Sequence, residues 1–276
     1  MTASPPLSVS QHHRIALGAC YGVTDTGLVR DVNEDNFLID DHLSLLMVAD
    51  GMGGHTAGAL ASAEAIVSIQ AYLAQASKTP PSFTNTATDD NTIPLPHLRN
   101  NDAESIVRQA VINANAHVYA LNLARQNAEG CGMGTTMTGI WQRNADPVIT
   151  LFHVGDSRFY RFRAGRLNCL THDQTLYQRA LDAGETLNLP KKNMLWQALG
   201  PYADIAPAIQ SFQWQAGDRY LLCSDGLHAA VPHEQIEQLM ATAQTEQIDF
   251  TCQQLIGQAK AYGGRDNITA IVIQSD

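Results

Sequence analysis

The chain has few basic residues and does not cluster them. Lys and Arg together number 17 against 27 Asp and Glu, which gives a formal net charge of -10 at pH 7. Because nucleic-acid binding needs a basic surface that neutralises phosphates, this charge balance argues against a nucleic-acid-binding protein. No apolar run approaches the length that crosses a bilayer, so the sequence also predicts a soluble protein that does not bind membranes.

Close cysteine pairs are lacking as well. The cysteines are odd in number and most stand in apolar segments: Cys20, Cys131, Cys169, Cys223 and Cys252. This pattern favours buried thiols over disulfides or reactive nucleophiles, and it predicts a reducing compartment, the cytoplasm. Residues 1–13 have no apolar signal core, and we expect a flexible tail there.

The sequence does contain one recurring pattern, an apolar run with an acidic residue directly beside it. The run 45–49 has no polar alternation, which predicts a buried strand, and it leads directly into Asp50 and Gly51. A second apolar run ends near Asp225, and Asp266 lies just before the last apolar run. A single Asp-Gly pair would indicate only a turn. Three acids with apolar strands beside them favour a shared site.

Two further segments carry acids that could join this site. Arg30, Glu34 and Asp35 lie in one polar loop, and Asp156 follows another apolar run. Carboxylates that converge would repel one another without a cation between them, and all-oxygen sites bind hard cations such as Mg²⁺, Mn²⁺ or Ca²⁺. No Cys or His spacing matches the usual zinc ligands. Simpler interpretations remain open, namely a solvated loop acid for Glu34, a surface arginine for Arg30, and a turn held by a local salt bridge for Asp156.

Helical and strand patterns are segregated along the chain, which predicts an α+β fold. A helix is expected over 56–76, followed by an exposed Pro-rich loop at 77–101 and a second helix with Asp102 as its N-cap. Because candidate acids lie on both sides of that loop, we expect a single domain over 14–276.

The stretch 171–202 has weaker periodicity than its surroundings. It lies between the strands that bear Asp156 and Asp225, and Gly184 and Pro190 interrupt its apolar content. Such content predicts thin packing, and thinly packed segments open at low cost and commonly gate active sites. We therefore expect a small flap subdomain that shapes the access of large substrates.

Six short motifs occur in order along the chain. They are Arg30-x-x-x-Glu34-Asp35, Asp50-Gly51-Met52-Gly53-Gly54-His55, Gly132-Met133-Gly134-Thr135-Thr136, Gly155-Asp156-Ser157-Arg158, Ser224-Asp225-Gly226 and Arg265-Asp266-Asn267. Together they closely resemble the bacterial branch of the metal-dependent protein phosphatases, the PPM family or protein phosphatase type 2C. The resemblance covers about 15–273. Any one motif is weak, but six in this order and spacing are specific.

The resemblance implies a fold of two packed antiparallel sheets flanked by helix pairs, an α-β-β-α sandwich. It also implies hydrolysis of phosphoserine and phosphothreonine in proteins with Mn²⁺ or Mg²⁺. Carried over position by position, Asp50 is the ligand that bridges two ions. Glu34 and the Gly51 carbonyl complete the protein ligands of one ion, and Asp225 and Asp266 those of the other.

The remaining positions are also assigned by the resemblance. Asp156 with Asp225 resembles a third, weaker metal site, Arg30 matches the phosphate-binding arginine, and Asp35 matches an acid that holds metal-bound water. His55 could serve as the general acid for the leaving alkoxide, since histidine titrates in the right range, or it could be an ordinary loop residue.

Phosphorylated proteins, made by a serine/threonine kinase, are the expected substrates of a monomeric enzyme. Two rival functions share the fold: a silent domain that binds phosphoproteins, and a hydrolase of small phosphoesters. A silent domain would usually have lost one of the core acids, and none is missing here. Gln174 stands where relatives often carry a histidine, so a role in substrate handling is not implied at that position.

Overall fold

Two antiparallel sheets form the centre of the fold, within the residues that the computed structural model describes: 9–54, 57–78, 96–125, 132–143, 147–243 and 245–276. The first sheet contains, in spatial order, β1 (His12–Ile15), β2 (Gly18–Asp25), β13 (Ile268–Ser275), β12 (Arg219–Cys223), β9 (Arg158–Arg163) and β10 (Arg166–Cys169). The second contains β11 (Ala208–Gln213), β8 (Val148–Val154), β7 (Met137–Trp141), β4 (Leu45–Ala49) and β3 (Asn36–Asp40).

Helix pairs cover the outer faces of both sheets. The second sheet packs against α1 (Ala57–Lys78) and α2 (Pro96–Ala124), and the first packs against α5 (His233–Thr242) and α6 (Ile248–Ala261). The connections contain α3 (Leu176–Asp182), α4 (Asp225–His228) and the short pair β5 (Gly51–Met52) and β6 (Gly134–Thr135). The predicted α+β fold, with the α-β-β-α sandwich that the resemblance implies, is confirmed.

Strand β4 shows why its sequence lacks polar alternation. Leu45 and Met47 pack towards the helix layer, whereas Leu46 and Val48 pack into the apolar layer between the sheets. Successive side chains of a strand point to opposite faces, so a strand buried on both faces must be apolar throughout. All five residues of β4 are buried. The predicted buried strand before Asp50 is therefore confirmed.

Helix α1 is the most apolar helix among the described residues. Its length and mean hydropathy of 1.3 would suit a membrane span, so the expectation that no segment approaches that length was wrong by these criteria. Ile66, Ile69 and Leu73 of this helix are fully buried in the layer between α1, α2 and the second sheet. This packing is that of a core helix.

Several predicted boundaries were wrong. Helix α2 begins at Pro96, so 96–101 are helical rather than part of the exposed loop, and 79–95 lie outside the described residues. Asp102 is inside this helix instead of at its N-cap, and its carboxylate accepts a hydrogen bond from Arg143 at 2.5 Å. The predicted tail also ends early, because β1 begins at His12 and pairs with β2.

The stretch 171–202 divides into two parts. Residues 181–194 are largely exposed, in keeping with the predicted thin packing. Gln197, Ala198 and Leu199 are buried, however, and Leu199 exchanges two backbone hydrogen bonds with Thr135 at 2.9 and 3.0 Å. Thin packing was therefore a wrong expectation for this second part, because it joins the strand pair next to Asp50.

The sheet register brings the acid-bearing segments to one end of the sandwich. Ala49 at the end of β4 pairs with Asn36 at the start of β3, and Val154 at the end of β8 pairs with Met137 at the start of β7. In the first sheet, Cys223 at the end of β12 pairs with the beginnings of both β9 and β13. The loops that carry the candidate site residues therefore leave the two sheets on the same side.

Candidate metal and phosphate site

A cleft of about 380 Å³ opens at this end of the sandwich. Its lining includes every predicted site residue except Asp35: Arg30, Glu34, Asp50, Gly51, Asp156, Asp225 and Asp266. The motifs are scattered over most of the chain, so this convergence comes from the antiparallel register and not from proximity in sequence. His55 lies outside the described residues.

Asp50 is fixed through its backbone by two threonines. Its N–H donates to Thr136 Oγ1 at 2.9 Å, and its carbonyl accepts from Thr135 Oγ1 and from the Thr136 N–H, both at 2.9 Å. These bonds use no carboxylate atom. The side chain of Asp50 is therefore aimed by rigid neighbours while its charge is left for the cleft.

The carboxyl groups of Asp50 and Asp225 lie close enough to perturb each other's protonation. Burial and the carboxylates of Asp35 and Asp225 raise the pKa of Asp50 well above its usual range, and burial and Asp266 raise that of Asp225. Two crowded carboxylates cannot both ionise unless a positive charge lies near them. A bound cation would supply that charge.

Glu34 lies at the N-terminus of α1. Its Oε1 accepts from the Gly58 N–H at 2.9 Å, and helix N-termini favour negative charge. Gly51 approaches the same helix end closely, since a Cβ there would lie 2.2 Å from the Gly58 carbonyl oxygen. Only glycine fits at position 51. The structure thus places Glu34 and Gly51 side by side, as the shared ligand role requires.

Asp35 lies behind the cleft and is buried. Its Oδ2 accepts hydrogen bonds from Ser224 Oγ and Thr269 Oγ1, both at 2.7 Å. Burial raises its pKa to about 7, although the two hydroxyl groups act in the opposite direction. Its Oδ1 is also buried, and none of the described residues donates a hydrogen bond to it. A buried acceptor of this kind is suited to holding a water molecule.

Arg30 lies on the rim and is paired with a predicted metal ligand. Its Nη2 donates to Asp266 Oδ2 at 2.8 Å, and this bond raises the pKa of Arg30. Asn267 ties the arginine loop to the start of β13, because its Nδ2 donates to the Thr26 and Val32 carbonyls at 3.0 Å. Its Oδ1 accepts from the Glu34 N–H at 2.8 Å.

Asp156 follows β8 of the second sheet, but its backbone is bound by a residue that follows β12 of the first sheet. Its carbonyl accepts from His228 Nε2 at 2.9 Å, and burial and the nearby Asp225 raise the pKa of its carboxyl to about 7. The alternative of a local salt bridge is wrong, because Arg158 donates to both carboxylate oxygens of Asp173 at 2.8 and 2.7 Å instead. Gln174 supports the same turn, since its Oε1 accepts from the Gly155 N–H.

The residues of the cleft fit divalent cations by their donor chemistry. Five carboxylate residues and Gly51 line one cleft, the carboxyl groups are crowded, and Asp35 offers a buried acceptor behind them. Among the described residues, no group of three or more His, Cys, Asp or Glu is already arranged to hold an ion. Mg²⁺ usually keeps several waters and takes only one or two carboxylates, so a site with few protein ligands for each ion suits it.

Sequence reasoning assigned no role to the residues that position these acids. Thr135, Thr136, Ser224 and Asn267 lie inside the quoted motifs, directly beside the acids, and that adjacency was the available signal. Thr269 had none, because a threonine in a buried strand looks like any β-branched residue.

Solved structures define the class to which this fold and cleft belong. The Mycobacterium tuberculosis serine/threonine phosphatase PstP/Ppp superposes with a TM-score of 0.75 at 30% identity, with 93% of this chain and 98% of that chain covered. The catalytic domain of PstP in complex with two manganese ions gives a TM-score of 0.73 at 32% identity, with 92% and 96% covered.

Sequence comparison gives the family. The serine/threonine phosphatase stp of Listeria monocytogenes is 33% identical over 263 residues, which are 92% of this chain and 94% of that protein. A family model for protein phosphatase 2C matches residues 29–260. The chain belongs to the protein phosphatase 2C family, and the resemblance seen in its motifs is confirmed.

Proposed function

We propose that this protein serine/threonine phosphatase hydrolyses phosphoserine and phosphothreonine in proteins with two divalent cations, Mn²⁺ or Mg²⁺. Glu34, Asp50 and the Gly51 carbonyl would hold one ion, and Asp50, Asp225 and Asp266 the other. When bound, such ions would lower the pKa of a coordinated water for attack on phosphorus and would neutralise charge on the phosphoryl oxygens. The single observation that carries this proposal is the convergence of five carboxylates in one cleft.

The chain's own residues orient the reactants. Asp35 Oδ1, a buried acceptor behind the cleft, would hold a metal-bound water by accepting a hydrogen bond from it. Arg30 binds the phosphate oxygens, and its guanidinium can offer two parallel N–H donors that a lysine could not reproduce. Asp266 already holds Arg30 at the rim, which reduces the conformational entropy lost when the phosphate binds.

The same cleft supports a weaker third site at Asp156 with Asp225. Both carboxyl groups have raised pKa values, and the charge of Asp225 is one reason why the pKa of Asp156 is raised. The substrates we propose are phosphoproteins made by a serine/threonine kinase, and we propose a monomer that acts in the cytoplasm, as the thiol pattern suggests.

The test is turnover of a phosphothreonine peptide by the purified protein with Mn²⁺ and with EDTA. We expect hydrolysis only with Mn²⁺, and a rise of the melting temperature on adding Mn²⁺ that Asp50→Asn abolishes together with activity. Hydrolysis in EDTA would contradict the proposal. Turnover of p-nitrophenyl phosphate alone would favour the small-phosphoester hydrolase, and metal binding without any turnover would favour the silent binding domain.

A further inference from the structure

The cleft has two chemically different walls. The charged wall consists of the carboxylates and Arg30, and its chemistry is used by the proposed hydrolysis. We call a second group of lining residues the apolar wall; it consists of Met52, Leu195, Trp196, Pro201 and Tyr202, and the polar residues Asn193 and Gln197 lie in the same stretch of chain. Phosphoryl transfer itself needs no apolar contact, so the apolar wall requires another explanation.

The apolar wall includes two aromatic residues that are only partly covered by the rest of the protein. Trp196 and Tyr202 leave 41% and 47% of their surfaces accessible, and the nearby Met194 leaves 45%. Contiguous exposed apolar groups beside a cleft mark a binding surface more often than a packing fault. Aromatic residues of this kind bury large areas at low cost in conformational entropy when a partner covers them.

The wall is held rigidly with respect to the catalytic centre. Asn115 on α2 donates to the Tyr202 carbonyl at 3.0 Å and accepts from the Gly200 N–H at 2.8 Å. Leu199 pairs with Thr135, whose hydroxyl in turn donates to the Asp50 carbonyl. A short chain of hydrogen bonds thus fixes the distance between the wall and the carboxylates. Such rigidity suits a surface that positions a substrate.

We propose that the apolar wall binds a large apolar side chain of the phosphoprotein, one that lies next to the phosphorylated residue. The proposal rests on the function proposed above and adds a substrate class, phosphoproteins with Phe, Tyr, Trp or Leu at a position adjoining the phosphoresidue. An extended peptide advances about 3.3 Å per residue, so neighbouring side chains can reach both walls of one cleft. A volume of about 380 Å³ lies in the range that encloses far more than a phosphoryl group.

The charges near the cleft bear on which kind of side chain binds the apolar wall. The five acids of the charged wall are offset by Arg30 and by the two cations proposed above, so this wall attracts neither acidic nor basic neighbours of the phosphoresidue strongly. A basic side chain could stack on Trp196 as a cation over an aromatic ring. Lys191 and Lys192 lie exposed just before the wall, however, and like charges would oppose that arrangement. An apolar neighbour needs no compensating charge and matches the apolar wall directly.

The experiment uses phosphothreonine peptides that differ only at the residue after the phosphothreonine, or only at the residue before it, with Phe, Ala or Arg there. We measure kcat/KM with Mn²⁺ for each peptide. For the wild type we expect about a tenfold preference for Phe over Ala at one of the two positions, mostly through KM. Trp196→Ala or Tyr202→Ala should bring that ratio close to one, and Trp196→Phe should restore most of it.

The matched control is Phe250→Ala, which removes an aromatic residue that is 59% exposed on α6, in the helix layer of the first sheet. It should leave the Phe-to-Ala ratio unchanged. The ratio, rather than absolute activity, is the readout, so a general loss of rate does not count in favour of the wall. An unchanged melting-temperature shift with Mn²⁺ in Trp196→Ala would show that the variant is folded with its metal site intact.

Three results would overturn the inference. They are a wild-type ratio near one at both positions, a ratio that survives both alanine substitutions, and an Arg peptide that is preferred in a Trp196-dependent manner. If the wild type hydrolyses none of the peptides with Mn²⁺, the proposed function fails and this inference with it. That outcome is distinct from the other three, in which the peptides are hydrolysed.

Discussion

Strand β12 has an aspartate near each end, and the two are treated in opposite ways. Asp218, just before the strand, accepts hydrogen bonds from Arg163, from the Tyr220 hydroxyl and from the Gln215 N–H. Although burial alone would raise it, these bonds lower the pKa of Asp218. Asp225, two residues beyond the other end, faces further carboxylates, and burial and Asp266 raise its pKa.

The difference separates a structural acid from a functional one. A buried carboxylate stabilises the fold when donors surround it, and it destabilises the fold when other carboxylates surround it. Natural proteins retain the second kind where a ligand or ion compensates the charge in the working state. Two aspartates that flank the same strand can therefore be assigned a structural or a functional role from the groups that surround each carboxylate.

The largest expected effect is that of Asp225→Asn. The change keeps the volume but removes a charge that would hold a cation, so we expect Mn²⁺-dependent kcat/KM to fall roughly 1,000-fold or more. The metal-free variant should at the same time melt at a higher temperature than the metal-free wild type, because one repelling carboxylate is gone. Near-normal turnover at ordinary Mn²⁺ concentrations would rule out the two-metal assignment.

Asp218→Asn is the matched change at the other end of β12 and should act in the opposite sense. It leaves Arg163 and Tyr220 without their anionic acceptor, and we expect a loss of about 2 kcal/mol in the free energy of unfolding. Activity at a temperature where the variant is folded should stay within about twofold of wild type. Urea unfolding and peptide turnover measure the two quantities. A variant that loses activity while its stability is unchanged would contradict the contrast.

The effect of Asp218 should depend on pH in a defined direction. Its folded pKa lies below the unfolded value of about 3.9, so the folded state binds fewer protons in that interval. The stabilisation is present above the unfolded pKa and is lost as pH falls through the folded pKa. We therefore expect the same stability difference between wild type and Asp218→Asn at pH 7 and pH 5, and a smaller one at pH 3.

The sequence predicted the role of Asp225 but did not predict the role of Asp218. Apolar runs next to acids predicted which carboxylates gather in the cleft, because antiparallel strands bring alternate loops to the same edge. Asp218 also stands just before an apolar run, as Asp266 does, so this signal alone does not separate a structural acid from a site acid. Its partner Arg163 is 55 positions away, and only the pairing of β9 with β12 brings the two together.

The errors in the fold have a similar origin. The proline-rich composition predicts a loop through Pro96, but proline is tolerated in the first turn of a helix, and α2 begins there. Strand β11 was not predicted, because alternate exposure at a sheet edge leaves few apolar residues to detect. The fixed part of 195–202 depends on Asn115 and Thr135, which lie far away in sequence.

Arg30→Ala should affect phosphopeptide turnover less than Asp225→Asn does. It extends the contrast between structural and site residues from acids to a basic residue. The arginine holds ground-state phosphate, so we expect KM for a phosphopeptide to rise about tenfold while kcat changes by less than about threefold. The control is Arg265→Ala, which removes an exposed arginine next to Asp266 that does not line the cleft. An unchanged KM in Arg30→Ala would show that Arg30 is a surface arginine that does not bind the phosphate.

The smallest effect is expected at the exposed part of the predicted flap, 181–194. The backbone of this part is closed at its base, where the Leu176 N–H donates to the Met194 carbonyl at 2.7 Å. Beyond that bond the chain is largely exposed, and Lys191 and Lys192 place two positive charges there. Exposed charges act mainly on encounter with a charged partner and are screened by salt.

Replacing both lysines by Ala should therefore lower kcat/KM for a phosphopeptide about two- to fivefold at low salt, and less at high salt. Turnover of p-nitrophenyl phosphate should hardly change, since a small substrate does not reach this part of the chain. Lys78→Ala, at the exposed end of α1, is the matched control. Equal losses on both substrates would mean that the segment supports the metal site itself, and its role in access would then be abandoned. A loss of activity confined to the phosphopeptide would indicate that Lys191 and Lys192 contact protein substrates at the surface, outside the carboxylate cluster.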